Sequence, residues 1–169
     1  LESGRDFGRY LDVDGDGIPY RTLPGSHATR GAYFTRGSTK DAYARYSEVG
    51  SDYIYNMERL LRKFDTARAL VPQPIIGRAQ GKAAAGVIYY GSTSPAMAEA
   101  LALLRAQDVQ PDHLRVRAFP FPDSVSDFIA RHETVFVVEQ NRDAQLRTLL
   151  VNELGIDPPS VGWRRCVDI

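Results

Sequence analysis

An α/β fold with a mostly parallel sheet is what this sequence predicts, on three observations. First, from about residue 74 short apolar runs alternate with helical patterns: Gly86–Tyr90, Leu114–Phe119 and Thr134–Val138 have strand length and helical spacing fills the intervals. Such alternation builds βαβ units with right-handed crossovers. Second, the run Thr134-Val-Phe-Val-Val138 is apolar throughout, as expected of a strand covered on both faces. Third, the text before residue 74 differs: an irregular, aromatic-rich arm followed by one helix. The predicted domains are therefore residues 1–71, arm plus helix, and residues 72–169, an α/β domain with helices flanking its sheet.

Residues 1 to about 50 are rich in Gly, Asp, Arg and Tyr and show no sustained periodicity. A loop of this length is uncommon in a compact domain and marks a functional loop, a partner-contacting arm or disorder, the last disfavoured by the Tyr and Phe content. Tyr10, Tyr20, Tyr33, Phe34, Tyr43 and Tyr46 need a surface to pack against, which a partner subunit or another part of the same polypeptide would supply. A helix follows, with Tyr53, Ile54, Met57, Leu60, Leu61, Phe64 and Ala67 on its inner face, Ser51 or Asp52 as N-cap, and Pro72 as its stop. Arg59, Arg62, Lys63 and Arg68 alternate with Glu58 and Asp65 and read as its solvated face.

In the second domain Gly91-Ser-Thr-Ser-Pro95 is a turn into a helix, with Ser94 as N-cap, Pro95 at the first helical position and Met97, Ala100, Leu101 and Leu104 facing in. Pro122–Arg131 is a second helix with Val125, Phe128 and Ile129 inward. Asp143–Leu154 is a third, with Leu146, Leu149 and Leu150 inward and Gly155 as its stop. Arg165–Ile169 reads as a fourth strand that runs into the end of the chain. This end, and the absence of an initiator Met, suggest a piece of a longer polypeptide.

Bulk properties exclude several function classes. Lys+Arg and Asp+Glu both number 21, so there is no electrostatic footprint for nucleic acid or an anionic membrane. No stretch approaches the ~18 apolar residues of a membrane span. The single cysteine, Cys166, rules out a Cys-rich metal or cluster motif in this chain and fits a reducing, cytoplasmic compartment.

Sheets of this type bind ligands beyond the carboxyl ends of their strands. The candidate rims are Gly91–Ser94, Pro120–Asp123 and Glu139–Arg142. Glu139, Gln140 and Asn141 form the most concentrated polar group there, suited to ligand contact, subunit contact or helix capping. Gly91-Ser-Thr-Ser94 could cradle a nucleotide phosphate as in a flavodoxin-like domain, although it lacks the glycine pattern of either phosphate loop. Asp12, Asp14 and Asp16 have the D-x-D-x-D-G spacing that opens a calcium loop, but position twelve is Leu23 and not the bidentate Glu. Gly15-Asp-Gly17 also opens a thiamine-diphosphate motif, without the Asn it needs about thirty residues later. His27, His113 and His132 share no ligand spacing, and no nucleophile elbow or paired-carboxylate arrangement is present. No catalytic and no metal-binding residue is assigned.

Several segments, in order, carry a resemblance: Asp14-Gly-Asp-Gly-Ile-Pro-Tyr-Arg-Thr-Leu-Pro-Gly25, Gly31-Ala-Tyr-Phe-Thr-Arg-Gly37, Arg59-Leu-Leu-Arg-Lys-Phe64, Tyr90-Gly-Ser-Thr93, Arg115-Val-Arg-Ala-Phe-Pro-Phe121 and Val138-Glu-Gln-Asn-Arg-Asp-Ala-Gln-Leu146. Together they resemble the C-terminal part of the alpha subunit of 2-oxoglutarate (2-oxoacid) ferredoxin oxidoreductases. The resemblance implies the tail of a pyrimidine-side domain up to about Val71 and then a domain like the C-terminal domain of transketolases. It implies a whole enzyme that oxidatively decarboxylates a 2-oxoacid, 2-oxoglutarate before pyruvate or a branched 2-oxoacid, using thiamine diphosphate, Mg²⁺ and an iron–sulfur cluster. Coenzyme A and ferredoxin are its co-substrates, and a beta subunit holds most of the cofactors; this chain is expected to bind none. The family's substrate-binding Thr and Arg motifs lie upstream of Leu1, so no catalytic residue carries over. In the Ile18–Arg36 loop, Arg21 and Arg36 suit a substrate carboxylate, a coenzyme A phosphate or an acidic partner surface. Where the family pattern continues Thr-Arg-Gly-Ser with Gly-His, this chain has Thr39-Lys40.

Overall fold

The computed structural model describes residues 6–32, 34–81 and 83–156. Tyr33, Cys166 and the strand expected at Arg165–Ile169 lie outside the described residues. The chain divides into two compact units, Leu1–Leu70 and Val71–Ile169.

The first unit is the arm and helix α1, Gly50–Leu70. The helix begins at Gly50, ahead of the expected N-caps, so Ser51 and Asp52 lie inside its first turn. There the Asp52 carboxylate suits the positive end of the helix. Its packing differs from the expectation. Tyr53, Ile54, Met57, Leu61 and Phe64 are exposed, and the one residue of α1 that is buried is Arg59, 3 % exposed. The arm docks on the helix through its backbone polar groups, which the polar side chains of α1 reach. The Tyr55 hydroxyl accepts from the Asp12 N–H at 2.9 Å and donates to the Tyr10 carbonyl at 3.2 Å. Thr66 Oγ1 donates to the Asp16 carbonyl at 2.7 Å, and Arg59 Nη1 to the Gly17 carbonyl at 2.9 Å. Gly17 lies flat on the helix with φ +77°; a Cβ there would sit 2.3 Å from Lys63 N and 2.5 Å from the Arg59 carbonyl oxygen. The expected solvated face holds for Glu58, Arg62, Asp65 and Arg68, which are exposed, Arg62 pairing with Asp12 at 3.2 Å, but not for Arg59, which is interior.

The second unit is a sheet between two helical layers. Its elements are β1 (Ile75–Gly77), β2 (Ala85–Tyr90), α2 (Ser94–Arg105), β3 (Asp112–Val116), α3 (Asp123–Ala130), β4 (Thr134–Val138) and α4 (Gln145–Leu154). The strand order is β1-β3-β2-β4; β3, β2 and β4 are parallel and β1 runs antiparallel at the edge. Residue period two sends Ile88 to one face of β2 and Val87 and Tyr89 to the other. One face buries Ile88, Leu114, Val135 and Val137 under α3 and α4; the other packs Val87, Tyr89, Phe136 and Val138 under Met97 and Leu101 of α2. Phe128 and Leu150 are the largest side chains closing the first core. The inward residues expected on α2, α3 and α4 are all buried or half-buried, and Gly155 ends α4 at φ 61°. Two details shift. The second expected strand begins at Asp112 and ends at Val116, because Pro120 and the Phe119–Pro122 bend leave the ladder. The strand β1, three residues long, had no periodicity to announce it.

Candidate functional site

β2 leads through α2 to β3 on one side, and β3 leads through α3 to β4 on the other. The connections diverge at the carboxyl ends of β2 and β4, the place where open α/β sheets receive ligands. Tyr90, Gly91, Glu139 and Asn141 lie there. A cavity of about 400 Å³ opens over this end, lined by Tyr90, Val116, Arg117, Phe119, Phe121 and the first turns of α4.

The polar group at the rim is committed to α4. A helix leaves its first four N–H groups without intrahelical partners. Ala144, at the N-cap with φ 51°, has no side-chain oxygen to serve them. Asn141 Oδ1 accepts from Gln145 N at 3.0 Å, Glu139 Oε2 from Leu146 N at 2.9 Å, Glu139 Oε1 from Arg147 N at 3.2 Å, and the Ala144 carbonyl from Thr148 N at 3.0 Å. Asn141 Nδ2 donates to Glu139 Oε2 and reaches the Tyr90 hydroxyl at 3.4 Å. Glu139 is 6 % exposed, whereas Gln140 is exposed. Of the readings open for Glu139, Gln140 and Asn141, capping is what Glu139 and Asn141 do. The carboxylate already fills the anion position at the start of α4.

The turn at Gly91–Thr93 is a single 3₁₀ turn closed on itself: Ser94 Oγ and the Ser94 N–H both donate to the Gly91 carbonyl. Thr93, not Ser94, is the N-cap of α2, and it makes no side-chain capping bond. The Ser94 hydroxyl is thereby engaged within the turn.

At the opposite, amino end of the strands sits a cluster that spacing did not reveal. Asp112, 6 % exposed, accepts from Ala79 N at 2.8 Å and from Arg78 Nη1 at 3.1 Å, and faces His132 Nε2 at 3.2 Å. His132 Nδ1 lies 2.6 Å from the Phe128 carbonyl at the end of α3. With a proton on each ring nitrogen, the imidazole donates to both acceptors and ties α3 to β3. Burial pushes the Asp112 pKa up, but the Ala79 N–H, His132 and Arg78 outweigh it and hold the carboxyl below its usual range. Gly86 leaves the room: a Cβ would come within 2.8 Å of Phe128 and 2.9 Å of His132.

On the arm, the three aspartates do not form a calcium loop. Asp12 Oδ1 accepts from Gly17 N at 2.9 Å and Oδ2 from Arg62. Burial raises its pKa, and these donors more than offset that to leave it lowered. Asp14 accepts the Tyr20 hydroxyl, which raises the Tyr20 pKa, and Asp16 accepts from Ile18 N at 2.8 Å. Each carboxylate has its own partner, and among the described residues no three His, Cys, Asp or Glu side chains group to hold a metal. Arg21 and Arg36 are both exposed, with no hydrogen-bond or ion-pair partner among the described residues. Also among the described residues, no helix is long and apolar enough to cross a membrane.

The fold and rim define the class first: a doubly wound α/β unit preceded by an arm-and-helix unit. Comparison with known proteins narrows it. No family model matches the chain. It is 30 % identical over 159 residues, 92 % of its length, to the alpha subunit of 2-oxoacid:ferredoxin oxidoreductase 2 of Aeropyrum pernix, and spans 24 % of that subunit. Its fold matches that of a 2-oxoglutarate:ferredoxin oxidoreductase from Magnetococcus marinus, a structure with 2-oxoglutarate, coenzyme A and succinyl-CoA bound. That match has a TM-score of 0.78 and 18 % identity, and it covers 99 % of this chain and 29 % of the other. The resemblance carried by the ordered segments therefore holds: the chain is homologous to part of a 2-oxoacid:ferredoxin oxidoreductase alpha subunit.

Proposed function

We propose that this chain is the C-terminal part of the alpha subunit of a cytoplasmic 2-oxoacid:ferredoxin oxidoreductase, and that its own role is architectural and subunit-contacting. The observation that carries the proposal is identity to such a subunit sustained along nearly the whole chain. The whole enzyme oxidatively decarboxylates 2-oxoglutarate to succinyl-CoA and passes the electrons to ferredoxin. The ligands of the protein with the similar fold favour this acid. The name of the closer-matching subunit says only 2-oxoacid, which keeps pyruvate and branched 2-oxoacids as the second reading.

Thiamine diphosphate, Mg²⁺ and an iron–sulfur cluster would supply carbanion stabilisation and electron transfer in the whole enzyme. The residues of this chain do not fit sites for them. It has one cysteine, where a cluster needs several thiolates, and no metal-holding group among the described residues. These groups belong with the beta subunit or other parts of the alpha subunit, and no chemical step is assigned here. Arg21 and Arg36, exposed and without partners among the described residues, are offered as contacts for an acidic partner surface, a substrate carboxylate or a coenzyme A phosphate.

The test is ferredoxin or dye reduction by the full-length subunit co-expressed with its beta partner, across several 2-oxoacids with coenzyme A. The expected result is turnover strongest with 2-oxoglutarate and none from the isolated chain. A correctly assembled, cofactor-loaded complex that oxidises no 2-oxoacid would overturn the reading.

A further inference from the structure

A second pocket lies wholly in the first unit, between the arm and α1. Its volume is about 220 Å³, and Tyr10, Ser38, Thr39, Lys40, Asn56 and Arg59 line it. Arg59 is 97 % shielded, being 3 % exposed, and its guanidinium has five N–H donors. Nη1 donates to the Gly17 carbonyl at 2.9 Å, and Nε reaches Asn56 Oδ1 at 3.5 Å, the outer limit of a hydrogen bond. The guanidinium carbon lies 5.5 Å from the Tyr10 ring centroid. None of these partners carries a negative charge, and Nη2 has no partner among the described residues. The second cation of the pocket, Lys40, donates to another neutral group, the Gly37 carbonyl, at 2.7 Å. No Asp or Glu lines the pocket.

A buried cation without a counter-charge is costly, and proteins ordinarily pair it. The neighbouring carboxylates are engaged elsewhere: Asp12 with Arg62 and Gly17, Asp41 with the Tyr43 and Arg45 N–H groups, and Asp52 with Ser47. We propose that this pocket binds a small anion, a carboxylate or phosphoryl group, held between Arg59 and Lys40 with the Ser38 and Thr39 hydroxyls as further donors. A guanidinium fork and an ammonium suit the oxygens of either group. A volume of about 220 Å³ admits a group of a few heavy atoms. The site rests on these residues alone and stands apart from the oxidoreductase reading.

The experiment is calorimetric titration of the full-length polypeptide in its native assembly with inorganic phosphate, and separately with malonate, at constant ionic strength. Arg59 also holds Gly17, so Arg59→Gln risks the fold; Lys40→Gln is the working variant, and Lys40→Arg is its charge-conserving control. Losing one charge-assisted bond weakens binding by about tenfold or more in Lys40→Gln, while Lys40→Arg retains it. Heat from phosphate alone identifies a phosphoryl group, from malonate alone a carboxylate, and from both a general compact-anion site. The proposal fails if neither anion titrates, or if Lys40→Gln binds both as wild type does.

Discussion

Replacing Glu139 by Ala tests whether the rim carboxylate is a cap or a ligand contact. The side chain is almost fully buried and accepts two backbone N–H groups, Leu146 at 2.9 Å and Arg147 at 3.2 Å. Its loss leaves both donors unpaired where water reaches poorly, at about 1–3 kcal/mol each. Asn141 also loses the acceptor that orients it toward Gln145 N. The expected destabilisation is about 2–6 kcal/mol, and Glu139→Gln, which keeps one acceptor oxygen but loses the charge at the helix start, falls near 1–2 kcal/mol. For a unit of roughly 100 residues, at about 4–8 °C per kcal/mol, Glu139→Ala then lowers Tm by at least roughly 8 °C. The assays are thermal denaturation of the full-length protein and amide exchange at residues 145–148, which reports on the α4 start even where other parts melt separately. Exchange at those amides should accelerate in step with the lost stability. Loss of enzyme turnover with Tm and exchange unchanged would refute the capping argument and restore Glu139 as a ligand contact.

Two further perturbations probe the ends of the two units. The lowered pKa of Asp112 means that its stabilising effect is fully present above the ordinary value of 3.8 and is lost as pH falls through the lower folded value. Asp112→Asn should therefore cost about 1–3 kcal/mol at neutral pH and flatten the acid limb of a denaturation-versus-pH curve; an unchanged acid limb would remove Asp112 from that transition. In the first unit, Gly17→Ala combines a left-handed φ with a Cβ 2.3 Å from Lys63 N, so the arm must lift from α1. Limited proteolysis should then cut the arm well before wild type, and equal cleavage rates would show that the arm tolerates the methyl group.

The sheet was legible because its signals are local. Val135 and Val137 face one core and Phe136 and Val138 the other, so an unbroken apolar run reports a strand covered on both faces. Phe128 with Val125 and Ile129, and Leu146 with Leu150, declared their inward faces by spacing alone. The face of α1 was misread for the opposite reason. Spacing reveals which residues share a side but not what the rest of the chain offers to cover it. Here the arm offers carbonyls and carboxylates, so Arg59, Thr66 and Tyr55 turn toward it and Tyr53, Ile54 and Leu61 do not. Asp112 and His132 could not be paired from sequence, because 20 residues and a whole helix separate them and only the parallel register of β2, β3 and β4 brings them together.

The same reasoning separates the two places where charge could serve a ligand. At the sheet rim, the position that would attract an anion is filled from within, since Glu139 and Asn141 satisfy every N–H that Ala144 leaves open. An anion at the start of α4 would have to displace the buried carboxylate that already holds it. Beside α1 the balance is reversed. Arg59 and Lys40 are held in place by neutral carbonyls, with hydroxyls around them and no carboxylate to neutralise them. In a chain whose charges sum to zero, a buried cation paired only with neutral groups is where added negative charge gains most.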